Sequence, residues 1–239
     1  MKFAALPISC LMMLAASSAP RLSEAQASTP STQTFTTEFD GNENPLSEGG
    51  AWTHTGLDWT KVAKSNGIAY GTQTGNDGYN DSYAILSGYS PNQSGSAQVH
   101  LIGSIDASCS HEVEILLRWS DAAHSAKGYE VNLSFDGGYA QIVRWNGAYG
   151  DFTALGAGSY PGLKNGDTFS ASINGNVISA FVNGTKIAEV TDSSYSSGNP
   201  GIGFFRRDCG AGSDFAFENF TATGDTTVRP MPPTNVTVQ

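Results

Sequence analysis

Apolar and polar residues alternate along the middle of the chain, most clearly in two segments. The first has Val113, Ile115 and Leu117 in one parity and Glu112, Glu114 and Arg118 in the other; the second has Tyr129, Val131, Leu133 and Phe135 against Glu130, Asn132 and Ser134. Successive side chains of a strand point to opposite faces of its sheet. The pattern therefore predicts two half-buried strands, each with an apolar face toward a core and a polar outer face.

Short turn signals separate such segments. They are Asp136-Gly137-Gly138, Asn146-Gly147, Asn165-Gly166, Asn174-Gly175 and Asn183-Gly184. Asn and Gly tolerate the positive φ values of tight hairpins. No helix-length segment after the N-terminal stretch shows a 3.6-residue period. The sequence predicts an all-β, two-sheet antiparallel sandwich in a single domain.

The chain ends differ from this central part. Lys2, the apolar stretch Phe3–Ala16 and the small-residue site Ala25-Gln26-Ala27 are typical of a signal peptide. We divide the chain into a signal peptide (1–27), a polar spacer (28–34), the β-sandwich domain (35–223) and a Pro/Thr-rich linker or the start of a further module (224–239). We expect a protein exported to the cell exterior or the periplasm.

The charge of the exported part is strongly negative. Loss of Lys2, Arg21 and Glu24 with the signal peptide leaves 10 basic and 21 acidic residues of the 12 and 22 in the full chain. Nucleic acids and anionic membranes both require a basic face, so the balance argues against them as partners. Neutral glycans and cations remain compatible with it.

Two cysteines, Cys109 and Cys209, remain after the predicted cleavage. In an oxidising compartment we expect one disulfide between them. Metal ligation and a catalytic thiol are the alternatives, and both lack supporting ligands at a suitable spacing, apart from His111.

Several motifs in order resemble the concanavalin A-like (laminin G-like) jelly rolls, the superfamily of lectins and glucanases. They are Phe39-Asp40 and Trp52 near the front, residues 166–203 with Val182-Asn183-Gly184 and Gly198-Asn199-Pro200-Gly201-Ile202-Gly203, and Asp214-Phe215 with Glu218-Asn219-Phe220 near the end. The resemblance implies a jelly roll and an extracellular polysaccharide or oligosaccharide as partner. It leaves the activity open, because this fold carries lectins, binding modules, hydrolases and lyases.

Glu112 and Glu114 are the first catalytic candidates. Two residues apart on a strand, they point to the same face, and a retaining glycosidase needs two neighbouring carboxyl groups. The segment resembles the Glu-x-Asp-x-x-Glu strand of jelly-roll glucanases, although Glu114 replaces the Asp and Leu117 replaces the second Glu. The structural alternative is a polar outer face with one Glu near Arg118.

A polysaccharide lyase is the second catalytic possibility. Tyr129 and Arg144, with Tyr139, His124 and Gln141, are of the types that abstract a proton and hold a uronate carboxyl group. The motifs of jelly-roll alginate lyases are absent, and packing of the tyrosines in strands is the alternative.

Trp145 and Tyr149 flank a turn and are candidates for stacking on a sugar ring. Glu130, Asn132 and Arg118 would bind the hydroxyl groups. Strand parity assigns Trp119 to the apolar face beside Leu117, unless a bulge intervenes.

The resemblance also implies one structural Ca²⁺ between the first and last strands, with Asp40 and Asp214 as candidate ligands. We expect no other cofactor.

The preferred function is a secreted carbohydrate-binding, lectin-like domain. A polysaccharide-degrading lyase or endo-glycosidase that uses the concave face is the alternative, and a structural or adhesion domain without sugar contact is the second.

Overall fold

The structure, a computed structural model, describes residues 31–75, 80–102, 105, 106, 108–208 and 210–226. The predicted signal peptide lies outside them. Fourteen strands form within these residues: β1 Ser31–Thr37, β2 Thr60–Ser65, β3 Ile68–Gly71, β4 Asp81–Ile85, β5 Gln93–Leu101, β6 Ser110–Ala122, β7 Ser125–Ser134, β8 Ala140–Gly147, β9 Phe152–Gly158, β10 Thr168–Asn174, β11 Val177–Val182, β12 Thr185–Thr191, β13 Asn199–Arg207 and β14 Phe215–Thr226. Single 3-10 turns occur at Glu48–Gly50 and Gly212–Asp214. No helix in this part of the chain is long and apolar enough to span a membrane.

The strands form one hydrogen-bonded ladder in the order β12-β11-β10-β5-β14-β3-β2-β4-β13-β6-β7-β8-β9, with β1 paired to β14. Its pairs are antiparallel except β2 with β4. We call the part from β12 to β3, with β1, layer one, and the part from β4 to β9 layer two; β2 joins them. The ladder ends β12 and β9 approach closely, since a Cβ on Gly158 would lie 2.1 Å from the Ile187 carbonyl oxygen.

The two layers pack face to face around one hydrophobic core. Ile115 and Val131 of layer two and Phe169 of layer one are completely buried in it. The rings of Phe204 (β13) and Phe217 (β14) meet across the layers at 5.2 Å. The predicted apolar parities of β6 and β7 face this core, and the predicted all-β sandwich is confirmed. The terminal strands β1 and β14 pair from Ser31 to Thr226, beyond the predicted 35–223 limits.

A bulge in β6 changes the direction of the side chains that follow Leu117. The register with β7 shifts between Leu117 and Ser120, and Arg118 has a φ of 48°. The extra residue inverts the alternation. The prediction that Arg118 shares a face with Glu112 is therefore wrong, and Trp119 lies on the outer face of layer two.

Arg118 is inserted among backbone carbonyl groups at one end of the sandwich. Its Nε donates to Pro91 O and its Nη1 to Tyr195 O, both at 2.8 Å, and its Nη2 donates to Gly175 O. The side chain connects three loops at this end of the sandwich and lies away from the outer face.

Candidate functional site

Three carboxyl groups meet on the outer face of layer two, and we call Glu112, Glu114 and Glu130 the acidic cluster. Glu112 and Glu114 share a face of β6 because they are two residues apart. On β7, Glu130 lies opposite Leu116 and Asn132 lies opposite Glu114. One oxygen from each of the three carboxyl groups lies within 4.8 Å of the others.

Hydrogen bonds from β7, from β8 and from the turn before β8 orient two of these carboxyl groups. Glu130 accepts from Asn132 Nδ2 at 2.8 Å and from Trp145 Nε1 at 2.7 Å. Glu112 accepts from the Tyr139 hydroxyl. β8 and the turn before it therefore hold the carboxyl groups of β6 and β7 in place.

The acidic cluster holds protons more tightly than ordinary carboxyl groups. Desolvation raises the pKa of Glu112 to about 7, although the hydrogen bond from Tyr139 opposes the shift. Desolvation, with the charges of Asp81 and Glu112, raises the pKa of Glu130 to about 8. Burial first, and then Glu130, raises the pKa of Glu114 well above its usual value. Shifts of this kind are typical of functional sites.

Two buried acceptor atoms beside these groups have no hydrogen-bond partner. They are Oε1 of Glu114 and Oδ1 of Asn132, whose side chains are 2% and 5% exposed. Buried polar atoms in folded proteins are almost always paired, so each unpaired one requires an explanation.

A cleft of about 310 Å³ opens above the acidic cluster. Its walls are formed by Asp81, Glu112, Glu130, Asn132, Gln141, Val143, Trp145, Tyr149, Gly150, Phe152, Phe205 and Arg207. Phe152 is 52% exposed and packs against Trp145 at 5.6 Å. The cleft therefore combines an open aromatic ring with carboxyl and amide groups.

Tyr149 closes one side of this cleft. Its hydroxyl donates to Asp81 Oδ2 and accepts from Asn80 N, both at 2.8 Å. The turn between β8 and β9 thus reaches the start of β4, although β13, β6 and β7 lie between β4 and β8 in the ladder. Burial of the Asp81 carboxyl group raises its pKa to about 6, although the hydrogen bond from Tyr149 opposes the shift.

Trp145 lies below the cleft surface. It is 3% exposed and belongs to an aromatic cluster with Trp59, Tyr83 and Trp119. It therefore supports Glu130 and Phe152, and Phe152 presents the open ring. Phe152 is the first residue of β9, after the turn. The residues around it gave no indication of a site, apart from its position in the same hairpin as Trp145.

The structure divides the residues proposed for a lyase between two faces. Tyr139 contacts Glu112, and Gln141 lines the cleft. Tyr129 and Arg144 point to the other side of layer two, where both bind Asp192, at 2.7 and 2.8 Å. The two residues that would abstract the proton and hold the uronate therefore lie away from the cleft.

The predicted calcium ligands Asp40 and Asp214 lie outside the acidic cluster. Asp40 is exposed, and Asp214 Oδ2 accepts from Ala211 N at 2.7 Å. A Ca²⁺ between them stays a prediction. Cys209 lies outside the described residues, so its disulfide with Cys109 stays a prediction too.

No protein-family model and no curated protein matches the sequence. Solved structures match by fold. The CBM2 module of the evolved Dit protein of Lactobacillus casei BL23 phage J-1 has a TM-score of 0.53 at 10% identity, over 84% of this chain and all of that one. The carbohydrate-binding module CBM66 from Bacillus subtilis has a TM-score of 0.51 at 13% identity, over 68% of this chain and 96% of that one. The kappa-carrageenase from Pseudoalteromonas carrageenovora has a TM-score of 0.49 at 9% identity, over 85% and 99%.

The two likenesses with TM-scores above 0.5 show the fold. The chain folds as a jelly-roll β-sandwich similar to those two modules.

Proposed function

We propose that this protein binds an extracellular polysaccharide or oligosaccharide in the cleft of layer two. The observation that carries the proposal is the composition of the cleft: the open ring of Phe152 beside the polar groups of Asn132, Gln141 and Glu112. A flat ring packs on the apolar face of a sugar, while amides and carboxyl groups bind its hydroxyl groups. Two structures with this fold are carbohydrate-binding modules, which supports the proposal. The predicted signal peptide supports a site of action outside the cell.

Affinity electrophoresis of residues 28–239 on a panel of neutral and acidic polysaccharides tests this function. We expect retardation on at least one of them. Phe152→Ala removes the open ring and should weaken binding about tenfold, a loss of about 1.4 kcal/mol. Val177→Ala, at an exposed position on layer one, is the matched control and should bind like the wild type. Equal weakening by both variants, or retardation on no polysaccharide, contradicts the proposal.

Hydrolysis of the bound glycan is the second candidate function. Glu112 and Glu130 both line the cleft, and their nearest oxygens lie within 4.8 Å. Retaining glycosidases place two carboxyl groups about 5–5.5 Å apart. Glu130 of β7 lies opposite Leu116 of β6. β7 therefore provides a carboxyl group beside a position where β6 has an apolar residue.

Burial raises the pKa of both carboxyl groups, that of Glu112 to about 7 and that of Glu130 to about 8. A retaining hydrolase needs one of the pair protonated as the general acid and the other ionised as the nucleophile, and the raised pKa values allow the pair to share one proton at neutral pH.

An assay for released reducing ends separates the two functions. If the protein is a hydrolase, Glu112→Gln and Glu130→Gln should each remove the product and retain glycan binding, whereas the exposed-site control Glu38→Gln should act like the wild type. If the wild type binds the glycan but releases no reducing ends, and both Gln variants bind it equally well, the protein binds the glycan without hydrolysing it.

A further inference from the structure

We propose that the acidic cluster, together with the side-chain carbonyl of Asn132, is a binding site for a divalent cation of the calcium type. Calcium–oxygen distances are about 2.3–2.6 Å, so ligand oxygens on opposite sides of one ion lie about 5 Å apart at most. The three carboxyl groups already provide oxygens within 4.8 Å of one another. One ion between them would therefore contact all three after small side-chain movements, without rearrangement of the strands.

The amide of Asn132 supplies independent support. Its Nδ2 donates to Glu130 Oε1, which fixes the orientation of the amide and places Oδ1 beside the cluster. Oδ1 is buried and accepts no hydrogen bond. A buried neutral carbonyl oxygen that accepts no hydrogen bond, next to three carboxyl groups, is available to ligate a cation.

The charges around the acidic cluster also favour a bound cation. Within the described part of the chain, none of the three carboxyl groups forms an ion pair with a Lys, Arg or His. Arg207 at the cleft wall pairs with Asp208 at 3.3 Å. Asp81 adds a further carboxyl group to the cleft wall. Mutual repulsion of buried carboxyl groups is relieved by protons or by a bound cation.

The donor set indicates the class of ion. All the donors are oxygens, which suit hard cations such as Ca²⁺; zinc and copper prefer the nitrogen and sulfur ligands that this site lacks. The cleft side is open, so water completes the coordination. If a glycan binds in the cleft as proposed above, its hydroxyl or carboxylate oxygens would replace that water.

Terbium luminescence tests the site directly, because Trp145 donates to Glu130 and so lies against a proposed ligand. Tb³⁺ added to the chelator-treated protein should luminesce when tryptophan is excited, and Ca²⁺ should compete. Glu114→Gln should weaken Tb³⁺ and Ca²⁺ binding by about tenfold or more. Ca²⁺ should also raise the unfolding temperature of the wild type by more than that of the variant at the same Ca²⁺ concentration.

Asp40→Asn and Asp214→Asn are the controls, since they remove ligands of the other predicted calcium site. They should leave the luminescence unchanged. Loss of the signal in either, with a full signal in Glu114→Gln, overturns the proposal, as does the absence of any signal or thermal shift with Ca²⁺, Mg²⁺ and Mn²⁺. If Glu114→Gln does not fold, Glu112→Gln at the cleft surface takes its place. No glycan enters these measurements, so their failure is separate from a failure of the proposed function.

Discussion

Trp145 shows how a single side chain acts in this site through another residue. Its indole Nε1 donates to Glu130 at 2.7 Å, and its ring supports Phe152. The ring is almost fully buried, so its contribution to ligand binding is the position that it gives to these two neighbours. The predicted pair Trp145 and Tyr149 lines the cleft, but the open ring belongs to Phe152, which the sequence did not single out.

Replacement of Trp145 by Phe should lower the free energy of unfolding by about 1–3 kcal/mol, because Glu130 Oε2 then loses its buried donor. Urea unfolding measures the change. In a double-mutant cycle with Glu130→Leu, which removes the acceptor, Trp145→Phe should cost clearly less than it does in the wild type. Equal costs in the two backgrounds would show that the hydrogen bond contributes nothing.

At the scale of elements, the bulge of β6 determines which residues reach the cleft face. Gln93 accepts from Arg118 N at 2.9 Å and donates to Gly198 O at 3.0 Å, so β5 and β13 hold the bulge on both sides. Gly198 has a φ of 135°, and a Cβ there would lie 2.1 Å from Arg118 O. A side chain at position 198 is therefore incompatible with the bulge.

Gly198→Ala should lower the free energy of unfolding by about 3 kcal/mol, because the new methyl group collides with backbone that cannot move away cheaply. Gly150→Ala is the matched control: its φ of 77° is also positive, but no atom lies within 4 Å of the added Cβ. It should cost about 1 kcal/mol, from the backbone strain alone. Denaturant unfolding of both variants checks the difference, and similar costs would contradict it.

The strands were predictable from the sequence where alternation is regular, as from Tyr129 to Leu133. The prediction was wrong for Arg118 because a bulge changes parity without a signal in the residue types around it. Glu112 and Glu114 were recognised together since they share one strand. Their proximity to Glu130 depends on the register of β6 with β7, which sequence spacing does not determine.

At the scale of the whole molecule, the raised carboxyl pKa values link stability to pH. Asp81, Glu112 and Glu130 have pKa values of about 6, 7 and 8 in the folded state, above the usual 3.8 and 4.5 of the unfolded chain. At any pH between the unfolded and the folded pKa values of these groups, the folded protein thus binds more protons than the unfolded chain. The stability contribution of each group is complete below its unfolded pKa and is lost as the pH rises through its folded pKa.

In the presence of a chelator we therefore expect a higher free energy of unfolding at pH 5 than at pH 8. His54 acts in the opposite direction, because burial lowers its pKa. The four carboxyl groups with raised pKa values, which include Glu114, outweigh it. Glu130→Gln should flatten the decline between pH 6 and 8, and the exposed Glu38→Gln should not. Denaturant titrations at each pH measure the slope, and a stability that rises over this range contradicts the prediction.

If the cleft binds a glycan as proposed, the contact between Tyr149 and Asp81 bears on the length of glycan that it can take. The contact joins the β8–β9 turn to the start of β4, so we expect it to obstruct a polymer on that side of the cleft. The cleft then suits the terminus of a chain better than its interior. The number of binding sites per gram of a polysaccharide should therefore increase as the polymer is cut into shorter pieces, each of which adds new ends.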